Sequence, residues 1–345
     1  MSGDRAPQKE LLHYLGRGPH EVDVIHEHLL NDTRRNKDIP LRIYAPASGG
    51  PHPVILYSHG AGDSNATSPL LLRHWASHGY VVIAPMHLFG ERPFLERSVM
   101  RLREELVRMF QMGPEAWRER TDDLVAVMDN LGGMAGGVPA LNGKVDEDRI
   151  AVAGHSNGGY TAMLLGGATM TDASDGESRG FADPRPRAAM IVSGPGCDHN
   201  LGLTKDSWNK FTRPLMVMAG SRDPGYAPGF GTQWRTDPYR YSPPGDKYLL
   251  YLRGAHHLSY IGPIFDIPLR DPAHRGKIAN GIRSAARAVA RVAPAIDQVG
   301  LFDYVRIASV AFWNAYLKDD GRAREFLRSR ALDTYSANNA RLTSR

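Results

Sequence analysis

The chain has 345 residues, of which 42% are hydrophobic and 23% are charged, a composition typical of a globular protein with a substantial core. The formal net charge is +5, but the basic residues are scattered rather than gathered in a stripe, which argues against nucleic-acid binding. The single cysteine, Cys197, excludes an intrachain disulfide, and the sequence holds no cysteine and histidine set with zinc-site spacing.

The N-terminal stretch lacks the apolar segment of a signal peptide, and the chain contains no run of about 18 apolar residues. We therefore expect a soluble protein without stable membrane insertion. The expected location is cytoplasmic if this N-terminus is native, and exported if a signal peptide has been removed. The sequence leaves the oligomeric state open.

Short β-rich runs alternate with helical patterns along the chain, which favours an α/β fold with a mostly parallel sheet in a single domain over residues 1–345. The predicted strands, in chain order, are 21–30, 41–46, 53–60, 80–85, 148–156, 187–195, 214–223 and 247–257. The predicted helices of the sheet layers are 70–79, 121–131, 160–168 and 305–319. No internal repeat or low-complexity tract interrupts this order.

The segment Gly154-His155-Ser156-Asn157-Gly158 matches the pattern G-x-S-x-G and lies between a predicted strand and a predicted helix. That context is typical of a nucleophile elbow, in which a tight turn presents a serine at the carboxyl edge of the sheet. Small residues allow the strand and the helix to approach closely, and the helix N-terminus favours negative charge beside the serine. The alternative is a glycine-rich turn without chemistry. The pattern favours Ser156 as a nucleophile.

A nucleophilic serine needs a base and an orienting carboxylate, in the chain order Ser, Asp, His on this architecture. Asp223 follows the predicted strand 214–223 directly, although an aspartate before Pro224 also forms turns. Two adjacent histidines follow the last predicted strand. We select His257 rather than His256 as the base, because it lies three residues after the loop glycine, Gly254.

The loop His59-Gly60-Ala61-Gly62 ends an early strand and predicts the second half of an oxyanion hole. Its glycines let the loop bend over the site, so that the backbone N–H of Ala61 and the N–H of Asn157 converge on one oxygen. We interpret His59 as a residue that braces this loop rather than as a base.

With these residues identified, the sequence resembles the α/β-hydrolase superfamily, and within it bacterial dienelactone-hydrolase-like proteins related to platelet-activating-factor acetylhydrolases. The resemblance is carried by "PVILYSHGAG", "WASHGYVVIAP", "DRIAVAGHSNGGYTAM", "LMVMAGSRDP" and "YLLYLRGAHH", which follow one another in the order of that family. It implies an eight-stranded, mostly parallel sheet, a Ser/Asp/His triad and ester hydrolysis without a cofactor. Two residues differ from these relatives. Dienelactone hydrolases use cysteine at the elbow, so Ser156 argues against a specific activity on lactones. Asn157 replaces the bulkier residue common in acetylhydrolases.

We therefore predict a serine esterase with no cofactor and no metal, acting on a small-molecule ester with a short-chain or aryl group. Ser156 is the expected nucleophile, His257 the base and Asp223 its orienting acid. The alternatives are an acyltransferase or amidase with the same triad, or a lipid or polyester hydrolase.

Two insertions are candidates for the substrate pocket. Residues 87–119 predict an amphipathic helix whose apolar stripe includes Leu102 and Leu106, either as a lid or as a helix docked for stability. Residues 224–247 form a long loop that carries aromatic side chains, which either line the pocket or pin the loop to the surface. The candidate pocket residues are His155, His256, Trp234, Tyr226, Leu102 and Leu106.

Overall fold

The structure, a computed structural model, describes residues 5–61, 63–87, 114–226, 228–262 and 298–345. The strands in these ranges are β1 (Val22–Asp32), β2 (Lys37–Pro46), β3 (His52–Ser58), β4 (Val81–Pro85), β5 (Val145–His155), β6 (Thr169–Thr171), β7 (Ser178–Gly180), β8 (Pro186–Val192), β9 (Leu215–Gly220), β10 (Lys247–Leu252) and β11 (Ala340–Ser344). The helices are α1 (Arg5–Leu15), α2 (Pro69–Ser77), α3 (Pro114–Asp129), α4 (Leu131–Gly137), α5 (Asn157–Gly166), α6 (Asp237–Tyr241), α7 (Gln298–Leu317), α8 (Gly321–Arg328) and α9 (Ala331–Tyr335).

Nine of the described strands form one sheet in the order β1-β2-β4-β3-β5-β8-β9-β10-β11, and β6 pairs with β7 separately. The strands from β4 to β10 in this order are mutually parallel, while β2 and β11 run antiparallel to their neighbours. Parallel neighbours place their carboxyl ends at one edge of the sheet. The segments that follow β3, β5, β9 and β10, which include Ala61, Ser156, Asp223 and His257, therefore meet at that edge.

Helices cover both faces of the sheet, which explains why its central strands are continuous apolar runs. In β3, Ile55 and Tyr57 face a core that includes residues of α2 and α7, whereas Val54 and Leu56 face a core that includes residues of α3 and α5. All seven residues of β3 are buried. This two-sided burial makes the sheet a rigid platform at the edge that carries the candidate site.

All eight strands predicted from the sequence are present, and the mostly parallel sheet is confirmed. The sheet has one strand more than the expected eight, the short edge strand β11, which runs antiparallel to β10. Its sequence, "ARLTS", is too polar for a strand to be predicted from hydrophobic pattern. No helix in the described ranges is both long enough and apolar enough to cross a bilayer.

The two predicted insertions are described to different extents. Helix α3 begins at Pro114, so the end of the segment 87–119 belongs to a helix of the core, where Trp117 is buried. Leu102 and Leu106 lie outside the described residues. The lid hypothesis, which depends on them, stays a prediction. In the segment 224–247, a 3₁₀ turn (Thr232–Thr236) leads into α6, so this loop carries local helical structure.

Candidate active site

Ser156 lies between the end of β5 and the start of α5 in a sparsely populated backbone conformation with positive φ, at φ 56° and ψ −117°. Such a conformation costs energy for a residue other than glycine and persists only where its surroundings impose it. The N–H of Ser156 donates to the carbonyl of Val192 at 2.9 Å, which ties the turn to β8. The strained turn holds the hydroxyl at the carboxyl edge of the sheet.

The two glycines of the elbow are required by close backbone packing. A Cβ at Gly154 would lie 2.1 Å from the carbonyl oxygen of Gly158, and a Cβ at Gly158 would lie 1.8 Å from the carbonyl oxygen of Ser58. Real Cβ atoms are not found at such distances from backbone atoms. The pattern G-x-S-x-G is therefore a packing requirement here, because the elbow is pressed against β5 and against the end of β3.

A chain of hydrogen bonds joins Ser156 to His257 and His257 to Asp223. The hydroxyl Oγ of Ser156 lies 3.0 Å from Nε2 of His257, and Nδ1 of the same ring lies 3.2 Å from Oδ1 of Asp223. The side chain of His257 is 37% exposed, whereas that of Asp223 is only 1% exposed. The ring is thus open to a ligand on one side and held by a buried carboxylate on the other.

Asp223 is negatively charged despite its burial. Burial would raise the pKa of this carboxyl, but the hydrogen bond from His257 and the charge of Arg235 outweigh it and hold the pKa below its usual range. Two residues that the sequence prediction did not include, Ser193 and Arg235, also contact this carboxylate. Ser193 had a recognisable signal, because it lies near the end of the predicted strand 187–195, where a polar side chain can reach the carboxyl edge of the sheet. Arg235 had none.

The loop after β3 packs directly on the elbow. A Cβ on Gly60 would lie 3.5 Å from Cβ of Ser156, so the peptide that precedes Ala61 is next to the serine. The ring Nδ1–H of His59 donates to the carbonyl of Gly60 at 2.8 Å, which fixes the orientation of the Gly60–Ala61 peptide. Gly62 lies outside the described residues.

A buried polar network supports this loop from below. The guanidinium of Arg120 donates to the carbonyl of His59, to Oγ of Ser58 at 3.1 Å and to Oγ1 of Thr161 at 3.0 Å. The hydroxyl of Thr161 in turn donates to the carbonyl of Asn157 at 3.1 Å. Arg120 therefore connects the loop that carries Ala61 with the helix that begins at Asn157.

The same network contains a second serine, histidine and aspartate in contact. Nδ1 of His87 donates to Oδ2 of Asp123 at 2.9 Å, and its Nε2 accepts from Oγ of Ser58 at 2.9 Å. All three side chains are buried, and Asp123 also binds Arg35 and Lys37. This second set supports the loop and has no open side for a substrate in the described part of the chain.

Burial sets the charge states in the network. It lowers the pKa of His59 and of His87 well below the ordinary value, with the charge of Arg120 acting in the same direction, so both rings are neutral. Burial also lowers the pKa of Arg120 to about 10, which leaves its guanidinium charged near neutral pH. The result is a fixed cation beneath the loop and fixed tautomers in both histidines.

The two candidate pocket histidines are close to His257 but make backbone contacts. His155 is buried, its ring centroid is 4.7 Å from that of His257, and its Nε2–H donates to the carbonyl of His257 at 2.7 Å. Burial, followed by the neighbouring His257, lowers the pKa of His155 to about 3. Nδ1 of His256 accepts the N–H of Leu258 at 3.2 Å, so the structure brings His257, rather than His256, to Ser156 through a ring nitrogen.

The aromatic candidates of segment 224–247 form a cluster of their own. Trp234 is 8% exposed, stacks on Phe230 with ring centroids 4.8 Å apart and donates through Nε1 to the carbonyl of Cys197 at 2.7 Å. Tyr226 is half exposed and donates to the carboxylate of Asp198. These contacts anchor the loop to the segment after β8. The pocket role of both residues stays a prediction.

Comparison with known proteins shows that part of this chain is similar to one family of hydrolases. The model of the chlorophyllase family matches residues 13–102, a stretch that includes the loop at Ala61 but not Ser156, Asp223 or His257. Chlorophyllase-1, chloroplastic, of Citrus unshiu is 29% identical over 126 residues, which are 36% of this chain and 32% of that protein. Chlorophyllase type 0 of Chenopodium album is 26% identical over 136 residues, 36% of this chain and 32% of that one.

Chlorophyllase-1 of Arabidopsis thaliana is 29% identical over 141 residues, 39% of this chain and 36% of that protein. The chain thus spans about a third of the length of the curated relatives it matches. The α/β-hydrolase fold expected from the sequence is confirmed, whereas the narrower resemblance to dienelactone-hydrolase-like proteins and platelet-activating-factor acetylhydrolases stays a prediction. The chain has the α/β-hydrolase fold, and part of it is similar to chlorophyllases, a hydrolase family of that superfamily.

Proposed function

We propose that this protein is a serine hydrolase that cleaves carboxylic esters through an acyl-enzyme on Ser156. The observation that carries the proposal is the unbroken chain of contacts from Oγ of Ser156 to His257 and on to Asp223, at a serine held in a strained turn. The similarity to chlorophyllases supports the same reaction class. Short-chain or aryl esters are the proposed substrates.

In the proposed mechanism, His257 takes the proton of Ser156 as the hydroxyl attacks the ester carbonyl. Asp223 keeps the proton on Nδ1 of His257, so that Nε2 is free to accept, and supports the imidazolium that forms. The backbone N–H groups of Ala61 and Asn157 receive the negative oxygen of the tetrahedral intermediate. The alcohol leaves with the proton from His257, and water repeats these steps to release the acid.

The direct test is covalent labelling with a fluorophosphonate, read by intact mass, followed by turnover of p-nitrophenyl esters of increasing acyl length. Wild-type protein should gain the mass of one phosphonyl group, since fluoride leaves with the serine proton as HF, and should hydrolyse the shorter esters, while Ser156→Ala should do neither. Ser174→Ala, which alters an exposed loop serine, is the matched control and should behave as wild type. Full labelling of Ser156→Ala would refute the assignment.

The substrate panel also separates the alternatives. The relatives are named as chlorophyllases, so chlorophyll is included among the esters tested. Aryl amides and added acceptor alcohols test the amidase and acyltransferase alternatives, because both would form the same acyl-enzyme and differ only in leaving group or acceptor. Phospholipid and polyester substrates test the remaining hydrolase classes.

A further inference from the structure

The carboxylate of Asp223 accepts hydrogen bonds from three side chains. Its Oδ1 lies 3.2 Å from Nδ1 of His257 and 2.7 Å from Nε of Arg235, and its Oδ2 accepts the hydroxyl proton of Ser193. A simple triad needs only the first of these contacts. The other two place a hydroxyl and a permanent cation on the proposed acid.

Ser193 is in direct contact with the proposed base as well as with the acid. A hydroxyl has one proton, and an ionised carboxylate can only accept, so the proton of Ser193 is directed to Asp223. The oxygen of Ser193 then accepts from Nδ1–H of His257, at 2.7 Å. The Nδ1 proton is therefore shared between Ser193 and Asp223. Ser193 reaches this position through a left-handed backbone at the end of β8, with φ 51°.

Arg235 holds Ser193 and Asp223 in one arrangement. Arg235 is 6% exposed, and its guanidinium donates to the backbone carbonyl of Ser193 at 2.7 Å, to that of Pro224 at 3.0 Å and to the carboxylate of Asp223 at 2.7 Å. Arg235 therefore fixes the carboxylate and the hydroxyl that both face Nδ1 of His257.

We propose that Ser193 and Arg235 are positioning residues that act on His257 through Asp223, Ser193 by sharing the Nδ1 proton and Arg235 by holding the carboxylate and Ser193 in one arrangement. This inference rests on the proposed serine hydrolase function. It assigns the acid of the site to a unit of three residues rather than to Asp223 alone. The expected consequence is a loss of kcat, with little change in KM, when either supporting side chain is removed.

The test for Arg235 is a separation of kcat from KM for a short p-nitrophenyl ester. Arg235→Met should lower kcat about tenfold and leave KM within about twofold of wild type, because the carboxylate loses the side chain that orders it while the ester site is unchanged. Arg235→Lys retains the charge and should recover part of the loss. Arg222→Met removes an exposed cation next in sequence to Asp223 and should leave kcat unchanged. An unchanged kcat in Arg235→Met would overturn the proposal.

A second measurement separates this inference from the proposed function. The Nδ1–H resonance of His257 can be followed by NMR in a Ser156→Ala background, with and without Arg235→Met, and requires no turnover. Loss of the ordered carboxylate should shift that resonance. If wild-type protein neither labels nor hydrolyses esters, the proposed function fails, and the NMR measurement still decides the role of Arg235. If Arg235→Met does not fold, Arg235→Gln, which can still donate to a carbonyl, takes its place in both measurements.

The test for Ser193 is a separation of kcat from KM. Ser193→Ala should lower kcat about tenfold and leave KM within about twofold of wild type, because the ring loses one of two acceptors while the ester site is unchanged. Ser68→Ala is the matched control, since Ser68 is also a buried serine with a left-handed backbone and a side-chain hydrogen bond, here to Tyr57. An unchanged kcat in Ser193→Ala would refute the role of Ser193.

Discussion

The guanidinium of Arg120 donates a hydrogen bond to the carbonyl of His59, and this contact joins α3 to the loop that carries the proposed oxyanion donor Ala61. The same cation reaches Asn157, the other proposed donor, through Thr161. Both halves of the proposed oxyanion hole are therefore held by one buried side chain. Donors to an oxyanion stabilise it fully only when they are fixed in advance. Replacement of Arg120 should therefore weaken stabilisation of the transition state.

Replacement of Arg120 tests this connection. We expect Arg120→Met to lower kcat about a hundredfold with little change in KM, since one poorly placed donor of an oxyanion hole costs about that much. Arg120→Lys should recover only part of the loss, because an ammonium cannot bind three separated acceptors in the geometry of a guanidinium. Arg118→Met, on the exposed side of the same helix, is the control. A rise in KM at constant kcat would contradict the prediction.

Gly158 provides a test of the packing that forms the elbow. Gly158→Ala places a Cβ 1.8 Å from the carbonyl oxygen of Ser58, so the elbow or the loop after β3 must shift. We expect the free energy of unfolding to fall by about 3 kcal/mol or more and labelling of Ser156 to slow strongly. Urea denaturation and fluorophosphonate labelling rates measure the two effects.

The matched control for this variant is Gly133→Ala in α4. A Cβ there meets no atom within 4 Å, and an alanine in a helix is favoured over glycine by about 0.5–1 kcal/mol. The two substitutions therefore have opposite expected signs in the free energy of unfolding. Similar losses in both variants would mean that close packing at Gly158 is not the cause.

The adjacent histidines after β10 give a third prediction. His257→Ala should lower kcat by several orders of magnitude, because the three residues from Ser156 to Asp223 act as a unit. His256→Ala should cost far less, since Nδ1 of His256 accepts a backbone N–H from Leu258. Single-turnover kinetics with a p-nitrophenyl ester compares the two. The reverse ranking would refute the choice of His257 as the base.

The strands and the spacing of the proposed triad could be predicted because they depend on local pattern. Strands buried on both faces leave apolar runs, and the ends of parallel strands meet at one edge, so Ser156, Asp223 and His257 follow from chain order alone. Helix α4 could not be predicted, because its sequence "LGGMAGG" has low helix propensity, and only the burial of Leu131 and Met134 accounts for its place in the fold.

The supporting residues of the site were missed for a different reason. Arg120 lies on a helix that the sequence predicts only from Thr121, and its partners Ser58 and Thr161 come from distant segments. Arg235 lies in a loop where nothing in the local sequence points to Asp223. Contacts of this kind depend on how three or more elements pack, and hydrophobic periodicity carries no information about them.

Two neutral histidines beneath α1 predict how stability depends on pH. His74 and His78 are buried on α2 and just after it, and their Nε2–H groups donate to the carbonyls of Tyr14 at 2.9 Å and Gly16 at 3.0 Å. Burial, followed by the neighbouring His78 and Arg306, lowers the pKa of His74 to about 3. Burial also lowers the pKa of His78 to about 4, against the hydrogen bond to Gly16.

The sign of the effect follows from where each state binds its protons. In the unfolded chain these rings become protonated near pH 6.5, whereas in the folded chain they stay neutral until about pH 4 for His78 and about pH 3 for His74. Between those limits the unfolded state binds more protons, so the free energy of unfolding falls as pH falls. Above about pH 6.5 the two residues contribute no pH dependence.

We therefore expect His74→Gln with His78→Gln to flatten the acid side of the stability profile. A glutamine amide can still donate to the carbonyls of Tyr14 and Gly16 but does not titrate. Each histidine contributes up to about 1.4 kcal/mol per pH unit, so urea unfolding at about pH 7.5, 6, 5 and 4.5 should show a shallower decline in the double variant. His26→Gln, at an exposed position on β1, is the control. If the double variant declines as steeply as wild type, the acid sensitivity arises elsewhere, and the two rings are already charged or already solvated in the folded protein.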